Sequence, residues 1–144
     1  MRPGEFGVPH FDPQKPFDQD HDDHRDDGLA WETVFFEGIA KSSPNYVEAL
    51  MNLSTLYTRR GEHHKGLAID RRLVELRPDD PIVHYNLACS LSLVEELDDA
   101  LEELQKSIER GYCDYAYMLE DEDLENVRSD RRFFELMARF DKSV

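Results

Sequence analysis

Apolar residues recur at helical spacing through most of the chain. From Val47 onward, Leu50, Leu53, Leu56 and Tyr57 share a helix face. Gly61 ends that run, because glycine enters the left-handed conformation of a helix C-terminus without steric cost. A second run carries Leu67, Ala68, Leu73, Val74 and Leu76 and stops before Pro78. Asp80-Pro81 is a start signal: the carboxylate accepts from free backbone N–H groups, and proline fits the first helical turn. Leu87, Leu91 and Val94 then mark a third helix. Leu97, Ala100, Leu101, Leu104 and Ile108 mark a fourth, which stops near Gly111.

The four helices form two blocks of one length. Val47–Asp80 laid over Pro81–Asp114 aligns 34 residues with 34. Leu53 falls on Leu87, Ser54 on Ala88, Tyr57 on Leu91 and Gly66 on Ala100. The departures in character are His84 on Leu50, Asp70 on Leu104 and Arg110 on Leu76. Small residues at Ser54/Ala88 and Gly66/Ala100 suit two helices that cross closely, where a large side chain would force them apart.

This pattern resembles the tetratricopeptide repeat (TPR) family. The resemblance is carried by Leu50-Met51-Asn52-Leu53-Ser54, Tyr57, Gly61, Gly66 and Pro78, and then by Asn86-Leu87-Ala88, Leu91, Ala100 and Ile108. It implies an all-α fold, a short TPR-like antiparallel helix-hairpin solenoid. Upstream, Pro44 lies 34 residues before Pro78, so Gly28–Lys41 takes the place of a second helix and the array opens on half a repeat, 28–46. Downstream, the segment 115–144 resembles the terminal segment after the last repeat of many TPR proteins: an aromatic helix (Tyr115-Ala116-Tyr117-Met118-Leu119), an acidic turn (Asp121-Glu122-Asp123-Leu124) and a final helix. Phe133, Leu136, Met137 and Phe140 fall on one face of that helix and suit a cap over the bare end of a solenoid. The expected domain is 28–144, preceded by an acidic, proline-broken tail, 1–27, with too little to bury to order itself.

Charge narrows the partners. Asp and Glu number 32 against 17 Lys and Arg, a formal net charge of −15, which repels phosphate backbones and leaves basic or neutral proteins as the expected partners, not nucleic acid. No stretch is long and apolar enough to cross a bilayer, and no basic region followed by an apolar run opens the chain. Cys89 and Cys113 make no CxxC pair, so free thiols and a cytoplasmic location are expected.

Catalytic and metal signatures find little support. There is no GxSxG, P-loop or HExxH motif. Cys89 with a nearby histidine is a conceivable nucleophile pair, but it lies within a repeat helix where a small residue fits routinely. His21 and His24 among Asp20, Asp22 and Asp23 lack the rigid frame that a metal site needs. His63-His64 is expected in an exposed loop. No enzyme, cofactor or metal is therefore expected.

The family resemblance implies a partner groove lined by the first helices. These present Glu48, Met51, Asn52, Thr55 and Arg59, then Ile82, Tyr85, Asn86 and Cys89, with Tyr85 the expected contact anchor. One TPR subclass grips acidic chaperone tails with lysine, asparagine and arginine. This groove offers Asn86 and Arg59 without the lysines, and the net charge opposes an acidic peptide. The half-repeat helix is apolar on two sides: Phe36, Ile39 and Ala40 toward the next helix, and Trp31, Val34 and Phe35 on another. The second side is a candidate further interface, covered by the tail with its Phe6, Phe11 and Phe17 or by a second copy. The expected function is a protein-interaction adaptor; the alternative is a self-assembling structural protein.

Overall fold

The structure, a computed structural model, describes the backbone of residues 21–141 and the side chains of residues 28–141. Every element in it is helical: α1 (His21–Ser42), α2 (Val47–Arg59), α3 (His63–Leu76), α4 (Pro81–Leu93), α5 (Leu97–Glu109), α6 (Tyr115–Glu120), a 3-10 turn (Glu122–Leu124), α7 (Glu125–Arg128) and α8 (Arg131–Phe140). Helix α1 covers His21–Ser42 and so already runs ahead of Gly28, where the domain was expected to begin. Its side chains before Gly28, and the tail aromatics Phe6, Phe11 and Phe17, lie outside the described residues.

The 34-residue period is the period of the backbone. Helix α2 begins at 47 and α4 at 81; α3 begins at 63 and α5 at 97. The turns between them repeat as well. Gly61 and Glu95, 34 apart, both take positive φ, 77° and 62°. In each turn the following N–H reaches back over the helix end, Glu62 N to Tyr57 O at 2.8 Å and Glu96 N to Leu91 O at 2.9 Å, so otherwise unpaired carbonyls find a donor. Asp80 caps α4 by accepting from Ile82 N, with Pro81 in the first turn. Asp130 caps α8 in the same way, from Arg132 N.

Neighbouring helices pack in chain order, α1 on α2, α2 on α3, α3 on α4 and α4 on α5, which makes a stack of hairpins. Both expected crossings are real. Ala100 is fully buried. A Cβ on Gly66 would stand 3.5 Å from Thr58 Oγ1 and 3.6 Å from Ser54 O, so α3 approaches α2 to within one methyl group. The main core lies in the second hairpin and the C-terminal segment, around Leu91, Leu104, Met118, Leu124, Val127 and Phe133. Helix α8 closes this end: Phe133, Leu136 and Met137 are buried in that core and Phe140 packs against it. A smaller cluster, Leu50, Leu73 and Val83, joins the two hairpins, with Ala40 of α1 packed on it.

Candidate cleft between the first helices

A cleft of about 580 Å³ lies where α2 and α4 meet the acidic turn. Helix α2 contributes Thr55 and Arg59, one turn apart, and α4 contributes Ile82, Tyr85, Asn86 and Cys89, whose spacing puts them on one face. Thus six of the expected groove residues line it. Glu48, Met51 and Asn52 lie earlier on α2, outside this lining.

Asp121 draws the end of the cleft together. It is buried, and its Oδ2 accepts from the Tyr85 hydroxyl at 2.6 Å and lies 3.7 Å from Cys89 Sγ. Its Oδ1 accepts from Asp123 N at 3.0 Å and starts the 3-10 turn. Arg128 holds the same bend from outside by donating to the carbonyls of Met118 and Asp121, at 2.9 and 2.7 Å. Tyr85 stacks on Tyr112 with ring centres 4.3 Å apart. Tyr85 therefore serves the cleft as a fixed wall, since its ring is buried and its hydroxyl is already bonded. An alanine there would leave Asp121 short of a donor and disturb the fold, so it is unsuited to test binding alone.

The floor holds a second buried carboxylate. Asp70 of α3 accepts from Ser54 of α2 at 2.5 Å and from Ser90 of α4, so one side chain ties three helices. Burial pushes its carboxyl up to about 6, while the two serine hydroxyls pull it the other way.

Cys89 is buried, and burial, followed by the charge of Asp121, pushes its thiol well above the ordinary value. A thiol held in its protonated form is a poor nucleophile. The nearby histidine is turned elsewhere: His84 Nδ1 lies 2.7 Å from Glu103 Oε2 and Nε2 lies 2.7 Å from Pro78 O. His63, expected in an exposed loop, opens α3 half-buried, while His64 is exposed. Among the described residues no group of His, Cys, Asp and Glu is placed to hold a metal ion. His21, His24 and the acidic residues beside them fall outside the described side chains.

Tyr112, Tyr117 and Asp121–Asp123 also line the cleft, and sequence reasoning assigned the acidic turn to the cap alone. A local pattern cannot show that Tyr85 and Asp121, 36 residues apart, would meet. Outside the cleft lining, Trp31, Val34 and Phe35 of α1 are 43%, 68% and 51% exposed, with Trp31 and Phe35 stacked at 6.0 Å.

Fold and cleft define the class: an all-helical protein of stacked helical hairpins with a cleft formed by the first helices. No family model matches the chain. The chain is similar to a chloroplastic protein of Arabidopsis thaliana, with 26% identity over 90 residues, which is 60% of this chain and 27% of that protein. It thus spans roughly a quarter of the relative's length. Among the described residues no helix is long and apolar enough to cross a membrane.

Proposed function

We propose that this chain is a tetratricopeptide-repeat adaptor that holds a segment of another protein in the cleft between α2, α4 and the acidic turn. The observation that carries this reading is the cleft itself: about 580 Å³, walled by the equivalent helix of each hairpin. Such a volume accommodates several side chains of a partner segment. Its lining offers rigid aromatic surface with exposed Thr55 and Ile82 and half-buried Asn86 beside it, the mixture that supplies contact area at low entropic cost. Binding rather than catalysis is the role, with a basic or neutral protein as partner and no cofactor. The compartment belongs to the same proposal: the cytoplasm, with the chloroplast, named for the Arabidopsis relative, as the alternative that fractionation would reveal.

A photoreactive side chain at Thr55 or Ile82 should crosslink to a partner protein, and one at Glu75, exposed on α3, should not. Equal capture at all three positions would remove the cleft as the site. The exposed Trp31, Val34 and Phe35 favour the second reading, self-assembly. Sedimentation separates the two. A stable dimer abolished by Trp31→Ser and Phe35→Ser supports assembly, whereas a monomer that still crosslinks at Thr55 supports the adaptor.

A further inference from the structure

The cleft has a definite sign. Four carboxyl side chains line it, Asp70, Asp121, Glu122 and Asp123, against the one guanidinium of Arg59. Asp70 is occupied by two serines, and Asp121 by Tyr85, Cys89 and the Asp123 N–H. The carboxylates of Glu122 and Asp123 have no hydrogen-bond or ion-pair partner among the described residues.

Beside these two stands an aromatic wall. Tyr85 and Tyr112 are stacked, and the half-exposed Tyr117 tilts toward Tyr85 at 6.2 Å. Ring faces are electronegative and attract a cation, and their apolar area suits the aliphatic stem of a long basic side chain. The negative potential is felt by the groups around it. The charge of Asp121 is the first cause holding the Tyr117 phenol above its ordinary value. Burial and then Asp121 raise the Asp123 carboxyl, and His63 opposes this more weakly than Asp121 promotes it. A half-buried carboxylate crowded by like charges is unfavourable in the free protein, and a bound cation relieves it.

We infer that this end of the cleft seats one arginine or lysine side chain of the partner segment, its stem along Tyr117 and its charge at Glu122 and Asp123, a refinement that rests on the adaptor reading. The occupant is set by charge complementarity: a cation gains two unpaired carboxylates and an aromatic face, while an acidic side chain there meets only repulsion.

The test uses the full chain with isotope-labelled tyrosine rings, titrated with N-acetyl-arginine methylamide and, as the opposite charge, N-acetyl-glutamate methylamide. The arginine compound should give saturable shifts at Tyr117 and Tyr112, and the glutamate compound none. The double variant Glu122→Gln/Asp123→Asn should weaken arginine binding by about fivefold to tenfold, as two partly solvated ion pairs do. The control Asp79→Asn/Asp99→Asn removes the same charge from exposed positions elsewhere and should leave binding within about twofold, the screened remainder of bulk attraction. Equal weakening by both doubles, or unmoved tyrosine signals, would overturn the seat. Crosslinking at Thr55 tests the adaptor separately. A partner captured there and held equally well by Glu122→Gln/Asp123→Asn means that the seat fails and the adaptor stands. An arginine compound that seats while Thr55 captures nothing means the reverse.

Discussion

The two complete hairpins share a backbone and fill it with opposite chemistry. In the first, Asp70 is buried between the hydroxyls of Ser54 and Ser90. Count 34 residues on, and the same places hold Leu104, Ala88 and Leu124, all fully buried. Elsewhere in the hairpin the exchange runs the other way. Leu50 and Ile69 of the first belong to one apolar cluster, and 34 residues later stand His84 and Glu103, bonded at 2.7 Å. Buried carboxylates and the buried imidazole have thus entered these seats together with side-chain partners, while the lone hydroxyls of Thr33, Ser92 and Ser107 bond to backbone groups. A lone buried carboxylate or imidazole would forfeit its hydration with nothing in return, whereas a set replaces water with internal partners. The 34-residue seat specifies shape and leaves polarity to be agreed among its occupants.

The largest effect should come from mixing the sets. Leu104→Asp places a carboxylate where the neighbours by that count are Ala88 and Leu124, so no hydroxyl answers it. It should cost about 4 kcal/mol or more at neutral pH, a large part of a small domain's stability. Adding Ala88→Ser to Leu104→Asp should recover about 1–2 kcal/mol by restoring one donor. A thermal melt of Leu104→Asp close to the parent's would show that the division into polar and apolar sets carries no energy.

The polar set of the first hairpin has its own signature in pH. The Asp70 carboxyl titrates at about 6 when folded, against 3.8 for the unperturbed group. Between those values the folded state holds a proton that the unfolded state releases. The stability contributed by Asp70 therefore falls as pH rises from about 4 to about 6, and stays low above. Asp70→Asn does not titrate, and its amide can still pair with both serines. Its stability relative to the parent should rise across that window by on the order of 2–3 kcal/mol. Asp130, whose carboxyl the Arg132 side chain holds down to about 2, titrates in both proteins and cancels. Urea unfolding of the pair at about pH 4 and about pH 7 reads the difference, and a constant gap between them would contradict it.

The crossings give a third, smaller contrast. Ala100→Leu adds three heavy atoms to a fully buried seat and should cost about 1–3 kcal/mol. Gly66→Ala adds one carbon at ordinary contact distances, 3.5–3.7 Å, inside a helix. It should stabilise by up to about 1 kcal/mol, because alanine is the better helix former. Chemical denaturation of both variants checks the signs, and an Ala100→Leu protein as stable as the parent would misplace the crossing.

How much of this is legible in the sequence follows from the same division. The helix starts at 47 and 81 are legible because seat size repeats, and size is what an aligned leucine, alanine or glycine reports; the start at 63 is not, because the first turn of α3 holds His63 and His64 and its apolar run begins only at Leu67. The cap is legible because Phe133, Leu136 and Met137 share one face of a helix started by Asp130. Asp70 and His84 register only as exceptions, since their partners sit on other helices, 16 and 20 residues from Asp70 and 19 from His84. The cleft is half legible. Its α2 and α4 walls follow from helical spacing. The part built by Asp121 does not, because the Tyr85–Asp121 bond depends on how the C-terminal segment folds back on α4. The helical backbone of α1 across the Asp and His residues ahead of Gly28 is hidden by composition, which suggests a tail there.

The smallest contrast lies in the turns. Gly61 and Glu95 hold equivalent places with positive φ, and one of them carries a side chain. For a residue with a Cβ the left-handed conformation costs about 1–2 kcal/mol, by contact with the following carbonyl. Replacing Glu95 with glycine removes that cost. It also frees the unfolded chain, which takes back about 0.4–1 kcal/mol. The net expectation for Glu95→Gly is a gain of about 0.5 kcal/mol, and for Gly61→Ala a loss of about the same size, since both terms change sign. The two variants together should nearly cancel, because the turns belong to different hairpins and share no partner. Glu95 is exposed, and its side chain makes no hydrogen bond or ion pair among the described residues that would confuse the comparison. Differential melting of the parent, each single variant and the double resolves effects of this size in a domain of about this length. A Glu95→Gly protein less stable than the parent would mean that the glutamate contributes something at this turn beyond occupying it, and the two turns would then cease to be equivalent in energy as they are in geometry.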